Sequence, residues 1–233
     1  MTNSVTLRPV EARDFDDLSR IMFDTWYAED FTHPTPEREA LAAQGYTRDR
    51  AEAMARFDTA HYLEISTHAM VAVEPASDTQ SSSSERVLGI AMWRNDADWD
   101  NGMNQKHLVE AELDKAYALE KKDAAFAHML KEFLDDAERT ITISQTAADE
   151  SEAELRLFMM DENARGKGVG KRLLSYAEES MRDSGAQQYY LYTDSTCDFG
   201  FYDYRGMTRM TEKFNVPGPS GELLDKFIYT HLL

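Results

Sequence analysis

The chain has 233 residues, 42% of them hydrophobic, enough to bury the core of one large domain or two small ones. Its formal net charge of -18 disfavours contact with a phosphate backbone, so we expect no nucleic-acid partner. No run of about 18 apolar residues is present, so we expect no membrane partner. The single cysteine, Cys197, precludes an intramolecular disulfide and favours a cytoplasmic location.

The first part of the chain alternates between strand and helix patterns. Runs of apolar and β-branched residues predict strands, and apolar residues at a spacing of three and four predict helices. In chain order we expect a strand, two helices and two further strands, at Val5–Val10, Ala12–Trp26, Thr47 to about Ile65, Ala69–Glu74 and Arg86–Arg94. The last two strands should form a hairpin across a polar, low-complexity segment at Ser77–Glu85.

Residues 96–150 have a different character. They contain 14 Asp and Glu residues against 6 Lys and Arg. Apolar residues between Phe126 and Ala137 follow the spacing of a helix with one apolar face, and Gln105–Lys122 is also predicted to be helical. This acidic helical segment either shapes a substrate site or a homodimer contact, or it passively covers the sheet. Both interpretations stay open.

The last third of the chain again alternates. The predicted elements are a strand, a helix, a strand, a short helix and two closing strands, at Leu155–Met160, Lys171–Arg182, Tyr189–Thr193, Asp198–Tyr204, Met207–Val216 and Leu224–His231.

A glycine-rich segment, Arg165–Gly170, separates the Leu155–Met160 strand from the helix that follows. Residues without side chains let backbone N–H groups approach an anion, and a helix N-terminus adds a partial positive charge. Positions 165–172 also hold four basic residues and no acidic one. In so acidic a protein, this segment predicts a polyphosphate ligand.

The spacing of the glycines excludes two common nucleotide motifs. A P-loop requires Ser or Thr after Gly-Lys, but Arg172 follows Gly170-Lys171. A dinucleotide fingerprint requires a third glycine where Lys171 stands. The pattern [QR]-x-x-G-x-[GA] is met, by Arg165, Gly168 and Gly170.

With this pattern the chain resembles the GNAT superfamily of acyl-CoA-dependent N-acyltransferases. The similarity continues through Phe158–Arg165, which looks like the family's fourth strand and the turn after it, and Phe201–Met207, which looks like its FYEKxGF segment. Val5–Val10 with Asp14 looks like the family's opening strand and first helix. The resemblance covers roughly residues 4–95 and 151–233.

The resemblance implies a fold and a donor. The fold is α/β, with a mixed, mostly antiparallel twisted sheet, splayed at its centre and flanked by helices. Residues 1–233 would form a single domain with a helical insertion at about 96–150, between the third and fourth strands. The cosubstrate would be acetyl-CoA, and no metal is expected. The cofactor-binding residues would be Met159, Met160, Arg165, Gly166, Lys167, Gly168, Val169, Gly170, Lys171 and Ser195. Many relatives carry Asn at the position of Ser195, so that contact departs from the pattern.

The resemblance also implies catalytic roles. The Met160 N–H would bind the thioester oxygen, and Tyr202 would protonate the departing thiolate. Glu154 stands eleven residues before Arg165, at the offset of a general-base glutamate in the histone-acetylating branch. Two alternatives to that role are a solvated glutamate at the start of a strand and proton transfer through ordered waters.

The resulting hypothesis is an N-acetyltransferase that transfers an acetyl group to a primary amine of a small molecule or peptide. One alternative is a non-catalytic acyl-CoA-binding or sensing protein. Another is an interaction protein whose helical insertion docks a partner. No motif identifies the acceptor amine.

Overall fold

The computed structural model describes residues 5–32, 36–76, 85–219 and 222–233. Within these ranges, one sheet contains the strands β1 (Thr6–Pro9), β2 (His68–Pro75), β3 (Glu85–Asn95), β4 (Ala153–Met160), β5 (Gln188–Asp194), β6 (Thr208–Pro217) and β7 (Leu223–Leu232). Their spatial order is β1-β2-β3-β4-β5-β7-β6. Only β4 and β5 pair in parallel, and the other neighbours are antiparallel. The predicted α/β class and mixed, mostly antiparallel sheet are therefore confirmed.

The helices are α1 (Phe15–Trp26), α2 (Glu29–Thr32), α3 (Pro36–Ala43), α4 (Arg48–Glu64), α5 (Asp96–Asp100), α6 (Glu110–Glu120), α7 (Ala124–Asp149), α8 (Val169–Asp183) and α9 (Gly200–Tyr204). Three of them, α2, α3 and α5, were not predicted as separate helices. The helix after the glycine segment begins at Val169, two residues earlier than expected. Residues 77–84 of the polar low-complexity segment lie outside the described residues.

Two hydrophobic cores lie on opposite faces of the sheet. One is formed with α1, α4 and α6 and includes Phe126 and Leu130 at the start of α7. The other is formed with α8, whose buried face carries Leu173, Leu174 and Ala177. Beyond its anchored start, α7 extends along β5 and β7. It lies on the side of the sheet opposite α8.

A β-bulge in β4 changes which side chains face each core. Met92 of β3 lies opposite Leu157, whereas the next residue, Trp93, lies opposite Leu155. Arg156 is therefore an extra residue in β4. Because of the bulge, Leu155 and Phe158, three positions apart, both pack on the α8 face.

The sheet splays immediately after this bulge. β4 pairs with β5 only through Ala153–Leu155 and Tyr189–Leu191. From Leu157 to Met160, β4 keeps its pairing with β3, but beyond Leu155 it has no described strand along its other edge. The backbone groups on that edge are left available to a ligand.

Candidate active site

The open edge of β4 presents backbone N–H groups to the splay. The Asp161 N–H donates to the Leu88 carbonyl of β3 at 2.9 Å, while Met160 lies opposite Gly89. In an antiparallel ladder, alternate residues turn their N–H groups away from the partner strand. The N–H groups of Phe158 and Met160 therefore face the splay, and that of Met159 faces β3. Phe158 was not selected from the sequence, because no motif records the direction of a backbone N–H.

Gly89 lets Met160 approach β3 closely. A Cβ atom at Gly89 would lie 2.6 Å from Met160 Sδ and 2.8 Å from the Met159 carbonyl oxygen. The second contact is with backbone, so a side chain at this position would displace β4 from β3. A glycine outside the conspicuous loop thus helps to position the edge that faces the splay.

The glycine segment between β4 and α8 forms a turn with several unused donors. Gly166 and Gly168 have φ values of +75° and +67°, which favour glycine, and a Cβ atom on either would meet nothing within 4 Å. In the described part of the chain, the backbone N–H groups of Gly166, Gly168, Val169, Gly170 and Lys171 donate to no acceptor. The last three of these form the first turn of α8. Such a cluster is suited to an anion, because the helix dipole adds to the N–H groups.

Asp161 anchors the start of this turn. Its carboxylate accepts hydrogen bonds from the Asn163 backbone and side chain at 2.8 and 2.6 Å, and from Arg20 Nη2 at 3.0 Å. Burial alone would raise the pKa of Asp161, but the bonds from Asn163 and Arg20 outweigh it and lower the pKa below its usual value. A permanently ionised carboxylate therefore connects the turn to α1.

The basic residues of the segment differ in whether they have a partner within the protein. Lys167 Nζ pairs with Glu74 at 2.6 Å, and Arg172 donates to the Val5 carbonyl at 2.9 Å. Arg165 and Lys171 are exposed and make no ion pair with any described residue. The sequence therefore overstated the free positive charge, because Glu74 is distant in the chain.

Tyr202 lies in α9, across the splay from β4. The ring of its neighbour Phe201 stacks on Phe158 of β4, with centroids 6.0 Å apart. The Tyr202 side chain is largely buried, and its hydroxyl makes no hydrogen bond to the described residues. Burial, and then nearby Cys197 and Asp198, raise the pKa of Tyr202 above its usual value, so the phenol stays protonated.

Ser195 follows the end of β5 and is engaged with β7. Its N–H donates to the Asp225 carbonyl at 2.9 Å, and its hydroxyl oxygen accepts from the Asp225 N–H at 3.1 Å. The hydroxyl proton and one lone pair of the hydroxyl oxygen are left for a further contact. The predicted contact of Ser195 with the cofactor stays a prediction.

A cavity of about 330 Å³ lies under α7, beside the point where β4 and β5 separate. The inner face of α7 forms one wall and the C-terminal part of α4 another. The strands contribute Glu154, Arg156, Tyr190 and Tyr192. Helix α7 of the acidic helical segment thus covers this cavity.

Glu154 lies inside this cavity and already has partners. Its carboxylate accepts a hydrogen bond from the Tyr190 hydroxyl at 2.7 Å and lies 2.9 Å from Arg156 Nη2. Burial and the neighbouring Glu154 carboxylate raise the pKa of Tyr190, so the phenol remains the donor. The glutamate is thus not a freely solvated residue.

Sequence reasoning missed two α4 residues in the cavity, His61 and Tyr62. His61 packs against Phe57 and Phe133, with ring centroids 5.7 and 5.8 Å away. Burial lowers the pKa of His61 and outweighs the opposing effect of Glu64, with a smaller lowering contribution from Arg156, so the ring is neutral near pH 7. The available signal was the spacing of four between Phe57 and His61, which places both on the inward face of α4.

Two properties of the described residues bear on cofactors and location. No group of three or more His, Cys, Asp or Glu side chains among them is arranged to hold a metal ion. None of their helices is both long and apolar enough to cross a membrane.

Residues 91–202 match the family model described as "Acetyltransferase (GNAT) family". No curated protein matches the sequence. The matched residues include β4, the glycine segment, α8 and the chain up to Tyr202.

Similar solved structures share the architecture at low sequence identity. One is an arylalkylamine N-acetyltransferase-like 5b protein from mosquito, with 16% identity, a TM-score of 0.52, and coverage of 99% of this chain and 100% of that chain. Another is Arabidopsis thaliana NAA60 in complex with a bisubstrate analogue, with 12% identity, a TM-score of 0.52, and 98% of each chain covered. A third is a Drosophila melanogaster polyamine N-acetyltransferase, with 13% identity, a TM-score of 0.50, and coverage of 99% and 100%. At these identities the likeness establishes the fold and not the substrate.

Proposed function

Because residues 91–202 match the model of the acetyltransferase (GNAT) family, we propose that the chain is an N-acetyltransferase of this family, which moves an acetyl group from acetyl-CoA to a primary amine of a small molecule or peptide. The observation that carries the proposal is the alignment of donors along one side of the splay. The open edge of β4 carries free N–H groups, and further free N–H groups follow it along the chain, at Gly166, Gly168 and the first turn of α8.

This arrangement suits the two parts of acetyl-CoA. The pyrophosphate would accept hydrogen bonds from the glycine segment and the first turn of α8, with Arg165 and Lys171 supplying charge. The pantetheine arm would lie along the open edge of β4, where Met160 and Phe158 face it. We assign the thioester oxygen to the Met160 N–H, with the Phe158 N–H as a second donor on the same edge.

The chain's own groups can accept and supply the protons that the reaction moves. The amine nitrogen forms a bond to the thioester carbon, and the carbon–sulfur bond then breaks. An ammonium acceptor loses two protons, of which Glu154 would take the first, directly or through water. Tyr202 would protonate the departing sulfur and recover its proton from the nitrogen of the collapsing intermediate.

The backbone donors would stabilise the oxyanion between these two steps. N–H groups held in place by the β3–β4 ladder need no reorganisation as charge develops on the thioester oxygen. The neutral Tyr202 hydroxyl, which has no described partner, is free to approach the sulfur. The single cysteine fits a reducing compartment, and we propose a cytoplasmic location.

Thiol release from acetyl-CoA, measured with a panel of primary amines, tests this function. Isothermal titration with CoA should show binding, and at least one amine should produce N-acetylated product and free thiol. Tight binding of CoA with no thiol release from any amine would favour the sensing alternative. Absence of CoA binding would contradict both.

A further inference from the structure

The carboxylates that line the cavity under α7 are all neutralised by the protein itself. Each lies within ion-pair distance of a cationic side chain: Asp96 and Arg94 at 3.0 Å, Asp136 and Lys226 at 2.7 Å, and Glu154 and Arg156 at 2.9 Å. Although the whole chain is strongly acidic, this cavity offers no uncompensated negative charge. A polyamine, with two or more ammonium groups, would find no unpaired carboxylate here for its second charge.

Arg156 has donors that the protein does not use. The bulge in β4 places it in the cavity, where its side chain is 15% exposed. Its one ion pair is with Glu154, and it donates no hydrogen bond with good geometry to any described residue. Its Nε is buried without a partner. A guanidinium carries five N–H donors in a planar fork that fits a carboxylate, and buried donors without acceptors are costly.

We propose that the acceptor is an amine with a carboxylate next to its amino group, that is, an amino acid or a close derivative, and that Arg156 binds this carboxylate. The inference rests on the proposed function and narrows its acceptor. Within the protein, Arg156 and Glu154 neutralise each other. A zwitterion offers each of them an opposite charge, its carboxylate to Arg156 and its ammonium to Glu154.

The remainder of the cavity indicates the side chain of the acceptor. Phe133 and Ile141 of α7, with Ile65 after α4, form an apolar wall. The volume of about 330 Å³ is at the small end of ligand pockets. An apolar or aromatic amino acid therefore fits this cavity better than an extended peptide.

Matched pairs of ligands that differ only in the carboxylate test the proposal. We would use phenylalanine and phenethylamine, leucine and 3-methylbutylamine, and methionine and 3-(methylthio)propylamine, with spermidine as the polyamine. Isothermal titration in the presence of CoA measures binding without turnover. In at least one pair, the amino acid should bind about tenfold or more tightly than its amine, as expected for charge-assisted hydrogen bonds.

Arg156→Gln should abolish this difference while leaving the affinity for CoA unchanged, which shows that the variant is folded. Arg182→Gln, an exposed arginine in the last turn of α8, is the matched control and should keep the preference. Equal binding within every pair, no binding of any compound, tighter binding of spermidine, or a preference that survives Arg156→Gln would overturn the inference.

The inference and the proposed function fail in different ways. Thiol release with amines that lack a carboxylate, at rates equal to their amino-acid counterparts, would leave the acetyltransferase standing and overturn the inference. Binding of amino acids that depends on Arg156, without thiol release from any of them, would support the ligand class and overturn the proposed reaction.

Discussion

Asp58, in the middle of α4, is a buried carboxyl group whose charge should control the stability of the protein. The residue is 7% exposed, and the Tyr27 hydroxyl donates to its Oδ2 at 2.9 Å. Its Oδ1 is buried and has no partner among the described residues. Burial raises the pKa of Asp58 from 3.8 to about 7, because the opposing hydrogen bond from Tyr27 is the smaller effect.

The direction of the pH dependence follows from this pKa. Between pH 3.8 and about 7, the folded protein holds a proton that the unfolded chain has lost. Stability should therefore decrease as the pH rises through this range. At about 1.4 kcal/mol per pH unit, the loss amounts to about 4 kcal/mol by pH 8, of which about 3 kcal/mol falls above pH 5.

Asp58→Asn removes this dependence, because an amide is neutral at every pH and its oxygen still accepts from Tyr27. The free energy of unfolding of the variant, relative to the parent, should increase by about 3 kcal/mol between pH 5 and pH 8. Urea denaturation at the two pH values, followed by circular dichroism, measures this difference directly. The contributions of other titrating groups cancel in the difference between variant and parent, since both proteins contain them.

Asp49→Asn is the control for this experiment. Asp49 is exposed in the first turn of the same helix. Its replacement should cost less than about 1 kcal/mol, nearly equally at both pH values, since only a helix-dipole contact is lost. A constant stability difference for Asp58→Asn at pH 5 and pH 8, or a variant that loses stability relative to the parent as the pH rises, would refute the reasoning about burial.

Substitutions at four further positions test the site and the helix that covers it. Gly168→Asp should weaken CoA binding by about a hundredfold or more in a titration, because a carboxylate would face the pyrophosphate. Gly168→Ala is the control: it introduces similar backbone strain, about 1 kcal/mol, but no charge, and should retain much of the binding. Tyr202→Phe should lower kcat about tenfold or more with no change in CoA affinity, and an unchanged kcat would remove Tyr202 from the mechanism. Glu154→Gln should lower kcat about a hundredfold with no change in CoA affinity, and an unchanged kcat would favour another base. Lys226→Met should lower the free energy of unfolding, measured by urea denaturation, by about 3 kcal/mol. The reason is that Lys226 is fully buried and Asp136 on α7 would lose this partner. A loss below about 1 kcal/mol would show that Arg139, the other partner of Asp136, compensates.

The sequence was sufficient to predict the elements whose structure depends on residues close together in the chain. The spacing of apolar residues predicted the main strands and helices, and the glycines at 166 and 168 predicted a turn that ends in a helix N-terminus. Such features follow from backbone conformations that glycine tolerates and from helical periodicity. The short helices α2, α3 and α5 were missed, because helices of 4, 8 and 5 residues are too short to show a helical period.

Other features depend on residues that are far apart in the chain. The splay follows from a pairing of β4 with β5 that ends after Leu155, next to the bulge at Arg156. Sequence patterns show the alternation of a strand but not the position at which one extra residue changes its phase. Gly89 likewise acquires its role only when β3 and β4 lie side by side.

The sequence by itself therefore determined the glycine-rich turn before α8 and the resemblance to acyl-CoA-dependent enzymes, because both reside in contiguous residues. Only the tertiary structure decided which charges remain free. It pairs Lys167 with Glu74 and Lys226 with Asp136, and it leaves Arg156 with unused donors beside Glu154. The physical reason is that an ion pair depends on distance and burial, and the partners of these pairs come together only when the sheet and α7 are assembled.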